Sequence, residues 1–382
     1  MDATQSWRFR MHRFAWVLLI GLSSSCNAWT AEETRVQSFE VEVPVAPTPV
    51  RSEGRTLLAY ELHLTNFADE TLTLKEIIVG DAESGRSIAT LAGDELAGRL
   101  KIVGRASASR AIEPGQRAVV FVELDVAPPE SVRALKHAIA YERADGTTHT
   151  LAPAVVSIRA GAAPVLGPPL RAGPWVAVHD PRWPRGHRRV TYAIDGNAKL
   201  PGRFAIDWVA TDASGSLTHG DADRPADAIG YGADVLAGAD AVVAAVRDGI
   251  GESDSIKGNT PHALGEGAGN YVVLEVASGR YAFYEHLRRG SVRVRVGERV
   301  RKGEVIGALG FSGDTTGPHL HLHVADCADP LACEGVPFEI EGMTELGRYD
   351  DIGALGSKPW RAAERAVLAP EWPGSNVVVR FR

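Results

Sequence analysis

Three histidines, His319, His321 and His323, alternate with Leu320 and Leu322 in the last third of the 382-residue chain. Successive side chains of a β-strand point to opposite faces, so this spacing places the three imidazoles on one face and the leucines on the other. Histidine is the commonest metal ligand and also a general base. The pattern therefore predicts a strand that carries a metal site beside a catalytic imidazole. The alternative is an exposed polar strand face.

Five further segments accompany this histidine strand in a fixed order along the chain. They are YGADVLA at 231–237, GNYVVL at 269–274, YAFYEHL at 281–287, VRVGERVRKGEVIG at 294–307 and GFSG at 310–313. Together with Pro318-His319-Leu320-His321, they resemble the lysostaphin/LytM-like zinc metallopeptidases, which cut peptide cross-links of bacterial peptidoglycan. The resemblance covers roughly residues 187–326, and it implies an antiparallel β-sheet peptidase domain at 175–345.

The resemblance also implies a set of site residues. In the family, zinc is held by the histidine and aspartate of an H-x-x-x-D motif and by the second histidine of H-x-H. The matching positions here are Asp207 and His321, and the catalytic histidines are His319 and His286. Arg203 stands where the family has its first ligand, and an arginine side chain cannot bind a cation.

His187 is a candidate for the missing ligand. The run 187–208 reads as a β-hairpin, and a turn centred on Asn197 would place His187 directly opposite Asp207 on the same face. A one-residue slip in register would move it to the other face, in which case it is a surface histidine of the basic run 185–189. Arg203 is predicted to orient Asp207 or bind a substrate carboxylate, and His323 to contact the substrate.

Composition and charge limit the classes of partner that we expect for the protein. A formal net charge of −7 gives no basic surface for nucleic acid, so a nucleic-acid partner is not expected. The N-terminus has three arginines followed by a short apolar run, which is typical of a signal peptide over residues 1–28. We therefore expect a secreted or periplasmic protein. Lipoprotein anchoring at Cys26 is the less favoured alternative.

Cleavage of that signal peptide would leave Cys327 and Cys333, both in the segment after the histidine strand. An oxidising compartment favours a disulfide between them, and two unpaired thiols are the alternative. Since the chain has no other cysteine cluster, thiolate ligation of zinc is not expected.

The fold class predicted from the sequence is all-β. Residues 32–159 contain regularly spaced strand patterns, such as 57–66 and 117–126, and predict an immunoglobulin-like β-sandwich. A proline- and glycine-rich linker at 160–174 separates it from the peptidase-like domain. Residues 346–382 are expected to form a C-terminal extension. The sandwich carries no cluster of catalytic residue types, so it is expected to position the second domain or contact a cell-envelope protein.

The leading functional prediction is a secreted zinc metalloendopeptidase that hydrolyses peptide cross-links of peptidoglycan. Arg203 keeps one alternative open, namely a metal-free module that binds or activates another cell-wall hydrolase. The hairpin at 294–307 also resembles lipoyl-type carrier domains, but the chain shows neither the displayed lysine nor the long helices of such proteins.

Overall fold

A computed structural model describes residues 36–105, 109–126, 132–152 and 155–382. Nearly all regular structure in these ranges is β-strand, and the α-helix Gly93–Gly98 has only six residues. The all-β prediction is therefore confirmed. The expected signal peptide and Cys26 lie outside the described residues. Among the residues described, no helix has the length and apolarity needed to cross a membrane.

The N-terminal strands form two antiparallel sheets. One has the order β1-β3-β8-β6 with β2 added to β3, and the other has the order β10-β9-β4-β5 with β11 on β9 and β7 on β4. The strands are β1 (Phe39–Glu42), β2 (Val50–Ser52), β3 (Arg55–Asn66), β4 (Leu72–Asp81), β5 (Ser87–Ala92), β6 (Leu100–Ile102), β7 (Ala111–Ile112), β8 (Arg117–Val126), β9 (Ala134–Glu142), β10 (Thr148–Leu151) and β11 (Val156–Ser157).

These two sheets share one buried apolar core. Leu62 and Val120 contribute to it from the first sheet, and Ile77 and Ile139 contribute from the second. Side chains alternate between the faces of a strand, so each sheet can bury one apolar row against the other. The segment is a β-sandwich, and β3 and β8 coincide with the strands expected at 57–66 and 117–126. Its immunoglobulin-like character and the boundaries proposed from the sequence stay predictions.

The rest of the chain is organised around a ten-stranded antiparallel sheet with the order β21-β18-β19-β20-β23-β16-β13-β27-β25-β26. Three two-stranded ladders, β12-β24, β14-β15 and β17-β22, accompany it. The strands are β12 (Val165–Leu166), β13 (Trp175–Val178), β14 (Tyr192–Ile194), β15 (Asn197–Lys199), β16 (Ile206–Ala210), β17 (Asp234–Leu236), β18 (Ala241–Arg247), β19 (Asn270–Ala277), β20 (Arg280–Leu287), β21 (Arg299–Val300), β22 (Val305–Ala308), β23 (Leu320–Ala325), β24 (Glu339–Ile340), β25 (Met343–Arg348), β26 (Arg361–Ala366) and β27 (Val377–Phe381).

Short 3-10 helices connect several of these strands. They span His187–Arg189, Pro201–Phe204, Pro225–Asp227, Leu264–Glu266 and Ile352–Ala354. The helix His187–Arg189 precedes the β14-β15 ladder in the chain. The helix Pro201–Phe204 follows the ladder and leads into β16.

The expected C-terminal extension is part of this sheet. Strand β27 pairs with β13, next to the central strands, and β25 pairs with both β27 and β26. Val377, Val378 and Val379 are fully buried, so the segment contributes to the core. The segment expected as a C-terminal extension therefore contributes strands to the main sheet, and the boundary at residue 346 stays a prediction.

Candidate active site

The candidate site lies on three adjacent strands, β16, β23 and β20. His321 in β23 is directly opposite Asp207 in β16 on one side and Glu285 in β20 on the other. Leu320 and Leu322 are fully buried in the main core on the other face of the sheet. The predicted alternation of imidazoles and leucines is therefore confirmed.

Asp207 is the centre of the histidine cluster. Its Oδ1 lies 2.8 Å from Nδ1 of His321 and 3.3 Å from Nε2 of His319, and its Oδ2 lies 2.8 Å from Nε2 of His187. Burial alone would raise the pKa of Asp207. The rings of His187 and His319 outweigh this effect and hold the pKa well below its usual value, so the carboxylate is ionised.

His187 lies next to Asp207, as predicted, but the hairpin register that was expected to place it there is different. In the hairpin, Tyr192 pairs with Lys199 and Ile194 with Asn197, so the turn is centred between Asp195 and Gly196. Both turn residues have positive φ, 50° and 79°, as a two-residue Asp-Gly turn requires. The predicted register centred on Asn197 is wrong. The Asp-Gly pair was the sequence signal that could have corrected it.

His187 itself lies before the hairpin, in the first 3-10 helix rather than in a strand. That helix packs against the second one, Pro201–Phe204, at Gly202. A Cβ added to Gly202 would lie 2.9 Å from the His187 Cβ, so only a residue without a side chain allows this approach. Close packing of the two short helices therefore sets the distance from His187 to Asp207.

His286 reaches the same face through a β-bulge in β20. Val272 pairs with Tyr284 and Asn270 with Leu287, which leaves one extra residue in β20. His286 occupies this bulge with a φ of 59°, a conformation that is uncommon outside glycine. Glu285 and His286 therefore both face the site, although they are consecutive residues.

Hydrogen bonds fix the orientation of the two imidazoles assigned to catalysis. His286 Nδ1–H donates to the Ser312 carbonyl at 2.8 Å, and His319 Nδ1–H donates to the Gly317 carbonyl at 2.8 Å. In the neutral His286 ring the lone pair is consequently on Nε2. Nε2 of His319 lies 3.3 Å from the Asp207 carboxylate, which favours a proton on that nitrogen. The ring centres are 4.7 Å apart. Burial, reinforced by the neighbouring imidazoles, lowers the pKa of His286 well below its usual value and keeps the ring neutral.

Three sets of side chains in the cluster could hold a metal ion. The ligand atoms of His187, Asp207 and His321 all lie within 4.8 Å of one another, as do those of His286, His319 and His321 and those of Glu285, His321 and His323. The first set combines two imidazoles with a carboxylate, which is a donor combination found in catalytic zinc sites with three protein ligands. The residues present therefore fit the metal that the sequence predicts.

His323 and Glu285 are buried beside the cluster, with His323 Nδ1 4.0 Å from Glu285 Oε1. The His323 ring stacks on Phe283 at 4.4 Å with an interplanar angle of 8°, and only 2% of the residue is exposed. Phe283 covers one face of the ring, and the prediction that His323 contacts the substrate stays a prediction. Burial, together with the Asp207 charge, raises the pKa of Glu285 to about 8. Sequence analysis missed Glu285, since nothing in its local pattern reveals the bulge.

The contacts of the Arg203 side chain also differ from those predicted. Its Nε lies 2.9 Å from Glu61 of the sandwich, its Nη2 lies 2.9 Å from Glu334, and its Nη1 donates to the Gly335 carbonyl. The side chain is 5% exposed. Each guanidinium nitrogen therefore has a protein partner away from Asp207, so the assignment to substrate binding is corrected. A buried guanidinium needs such partners, and β3 supplies one of them.

Three clefts border the cluster. The largest of the three, of about 390 Å³, is lined by Asp207, Pro318 and His319. The other two are both lined by His286. One has a volume of about 290 Å³ and is lined by Asp207, His286 and His319, with the buried residues His179 and Trp372 at its wall. The other, of about 210 Å³, is lined by Glu285, His286, His321 and His323, and by Leu264 and Gly267 of the 248–269 insert. The insert therefore borders a cleft. His179 and Trp372 were not predicted, because the chain folds back from distant segments to bring them here.

The loop after β23 carries a disulfide. Cys327 and Cys333 are bonded, with their Cα atoms 5.4 Å apart. The bridge closes the segment that leads from the histidine strand towards Glu334, one of the Arg203 partners.

Comparison with known proteins gives partial matches. Residues 228–332 match the model of Peptidase family M23. The peptidoglycan DD-endopeptidase ShyC of Vibrio cholerae serotype O1 is 37% identical over 90 residues, which cover 24% of this chain and 18% of that protein. An uncharacterized metalloprotease of Haemophilus influenzae is 39% identical over 85 residues, or 22% of this chain and 17% of that protein. The chain thus spans less than a fifth of these curated relatives.

Two of the similar solved structures share low sequence identity with the chain. A zinc containing peptidase from Vibrio cholerae covers 78% of this chain and 84% of its own at 16% identity and a TM-score of 0.26. The catalytic domain of the M23 protein EnpA from Enterococcus faecalis covers 46% and 92%, at 20% identity and a TM-score of 0.26. The matched family range includes His286, His319 and His321. Residues 228–332 therefore resemble the domain that defines peptidase family M23.

Proposed function

We propose that the protein is a secreted zinc metalloendopeptidase that hydrolyses peptide cross-links of peptidoglycan. The observation that carries this proposal is the convergence of His187, His319 and His321 on the ionised carboxylate of Asp207, with His286 beside them. The family match and the relatives named as peptidoglycan DD-endopeptidases support the substrate class.

In this proposal His187, Asp207 and His321 hold the metal. When bound there, zinc would supply a Lewis acid that polarises the scissile carbonyl and makes water more acidic. The set has one carboxylate and two imidazoles, so its negative charge partly offsets the cation in a buried place. His187 thus takes the role that Arg203 cannot fill.

His286 and His319 are the proposed catalytic pair. Each ring has its Nδ1–H tied to a backbone carbonyl, so Nε2 is the atom that accepts or returns a proton. One ring accepts a proton from the attacking water. The other, protonated at Nε2 by solvent before the substrate binds, donates a hydrogen bond to the oxygen that becomes negative as the peptide carbonyl is attacked. The proton taken from water passes to the leaving amine as the peptide bond breaks. The carbonyl anchors keep both rings in place, so little reorganisation is needed during the reaction.

The metal-free alternative depended on the absence of a ligand at Arg203. His187 lies 2.8 Å from Asp207 and supplies an imidazole at this point, so the loss of the usual histidine no longer favours that alternative. Secretion to the periplasm or beyond is proposed from the N-terminal sequence, and it matches the location of a peptidoglycan substrate.

Two measurements on the purified protein test the proposal. Elemental analysis should find about one zinc per chain. Incubation with isolated peptidoglycan should release cross-link cleavage products, identified by mass spectrometry, and a chelator should stop their release. An Asp207→Ala variant is the control, and it should lack both metal and activity. A protein that takes up no zinc on titration and releases no products would refute the proposal.

A further inference from the structure

The segment that carries His187 is attached to the N-terminal sandwich by the residue that follows it. Arg188 is buried, with a side chain 5% exposed, between strands β3 and β8. Its guanidinium pairs with Glu61 at 3.4 Å and with Glu123, and it donates to the backbone carbonyls of Tyr60 at 3.3 Å and Val122 at 2.9 Å. The partners of Arg188 that the structure shows are therefore all residues of the sandwich.

Arg189 strengthens the same attachment. Its guanidinium lies over the Phe121 ring at 4.2 Å and donates to the Gly98 carbonyl at 3.0 Å. Lys101 of the sandwich donates to the Arg189 carbonyl at 2.6 Å. Of three consecutive residues, His187 therefore faces the M23 site and Arg188 is bound by the sandwich. Arg189 is bound by the sandwich and also donates from Nε to the Pro181 carbonyl at 3.2 Å, outside the sandwich.

Glu61 connects this attachment to the second ligand. Its Oε2 lies 2.9 Å from Nε of Arg203, four residues before Asp207, and its Oε1 contacts Arg188. Burial would raise the pKa of Glu61, but the charges of Arg203 and Arg188 outweigh this effect and lower it. One buried carboxylate thus anchors both the His187 segment and the segment that leads into Asp207.

The His187–Arg189 helix has little stability of its own. It is a single 3-10 turn of three residues, preceded by Gly186, and no side chain caps its start. Such a turn is too short to persist without tertiary contacts. The orientation of the His187 ring therefore depends on what holds its neighbours, and the structure shows that this is largely the sandwich.

We propose that the N-terminal sandwich is an integral part of the metal site, with Glu61 as the positioning residue that holds His187 against Asp207 through Arg188. The inference rests on the proposed zinc site. It assigns the sandwich a role that its own lack of catalytic residue types does not reveal. The M23 domain then depends on the sandwich for metal affinity as well as for stability.

The test compares Glu61→Gln with Glu53→Gln in the full-length protein. Glu53 is a matched control, because it also joins the sandwich to the M23 sheet, by an ion pair with Arg348, but has no contact to the His187 segment. Zinc affinity is measured by competition with a chromophoric chelator, and the visible absorption of the cobalt-substituted protein reports ligand geometry. Loss of a residue that orients a metal ligand typically weakens metal binding 10- to 100-fold.

We expect Glu61→Gln to weaken zinc binding by about that factor and to change the cobalt spectrum, and Glu53→Gln to change neither. Circular dichroism of both variants shows whether they are folded. If Glu61→Gln does not fold, Arg188→Lys replaces it, since lysine keeps the charge but not the forked contacts.

The outcomes separate the two proposals. A wild-type protein that binds no zinc refutes the proposed function. A wild-type protein that binds zinc, with a folded Glu61→Gln or Arg188→Lys variant of equal affinity and unchanged cobalt spectrum, refutes the role of the sandwich while leaving the function intact.

Discussion

His187 Nε2 lies 2.8 Å from Asp207 Oδ2, although the two residues are not opposite each other in any β-ladder. The distance results from packing between two short 3-10 helices, with Gly202 at their contact. His187 is the candidate ligand in place of the histidine that is missing at position 203, and tertiary structure brings it to Asp207.

The first prediction concerns this ligand. We expect His187→Ala to weaken zinc binding by roughly 100-fold or more, because a three-ligand site would lose one donor. Equilibrium titration with a competing chelator measures the change. His149→Ala, in the sandwich strand β10, is the control and should bind zinc as the wild type does. Equal affinity in both variants would show that His187 is not a ligand.

A second prediction separates ligand from catalyst within the histidine strand. His321→Ala should lose the metal, whereas His319→Ala should keep it and lose hydrolysis by about 10²- to 10⁴-fold, the usual contribution of a general acid or base. Zinc content and product release are measured on the same preparations. If His319→Ala loses its zinc, the alternative set of His286, His319 and His321 is the better assignment of the ligands.

The third prediction is that Arg203 stabilises the folded protein. The Arg203→Ala variant leaves the buried carboxylates of Glu61 and Glu334 with fewer partners, and removing one member of such a pair costs about 3–5 kcal/mol. Urea unfolding of the metal-free protein measures the free energy of unfolding. Arg295→Ala, at an exposed position, should change it by less than about 0.5 kcal/mol. A loss below 1 kcal/mol for Arg203→Ala would contradict the assigned structural role.

The fourth prediction is a pH dependence within the sandwich. The ring of His137 is buried against the Tyr60 hydroxyl, with Nε2 at 2.8 Å, and burial lowers its pKa to about 4. The unfolded chain binds this proton near pH 6.5, so the folded state loses stability as the pH falls from 6.5 towards 4. The loss from this residue should be about 3 kcal/mol.

The double variant Tyr60→Phe/His137→Leu removes both polar groups and is the comparison for this effect. Its unfolding free energy should fall less than that of the wild type over the same pH interval, by about the 3 kcal/mol assigned to His137. Parallel pH curves for the two proteins would show that His137 does not contribute.

Several features followed from local sequence alone. The period of two in 319–323 placed the imidazoles on one face and the leucines in the core, because neighbouring strand residues alternate whatever the surrounding fold. The alternation in 57–66 and 117–126 marked two sandwich strands for the same reason. Asp207, His286, His319 and His321 came from the motif resemblance, and the structure brings all four together in one cluster, with Asp207, His286 and His319 in the lining of one cleft and His321 hydrogen-bonded to Asp207.

Tertiary structure decided the rest. A single extra residue in β20 turned His286 and Glu285 to the same face, and no local pattern distinguishes such a bulge from regular alternation. Glu61, one of the partners of Arg203, is 142 residues away in the chain and belongs to the sandwich. Buried charges pair with whatever the packed elements bring within reach, so this partner, like the approach of His187 to Asp207, depends on how the sandwich and the ten-stranded sheet are packed together.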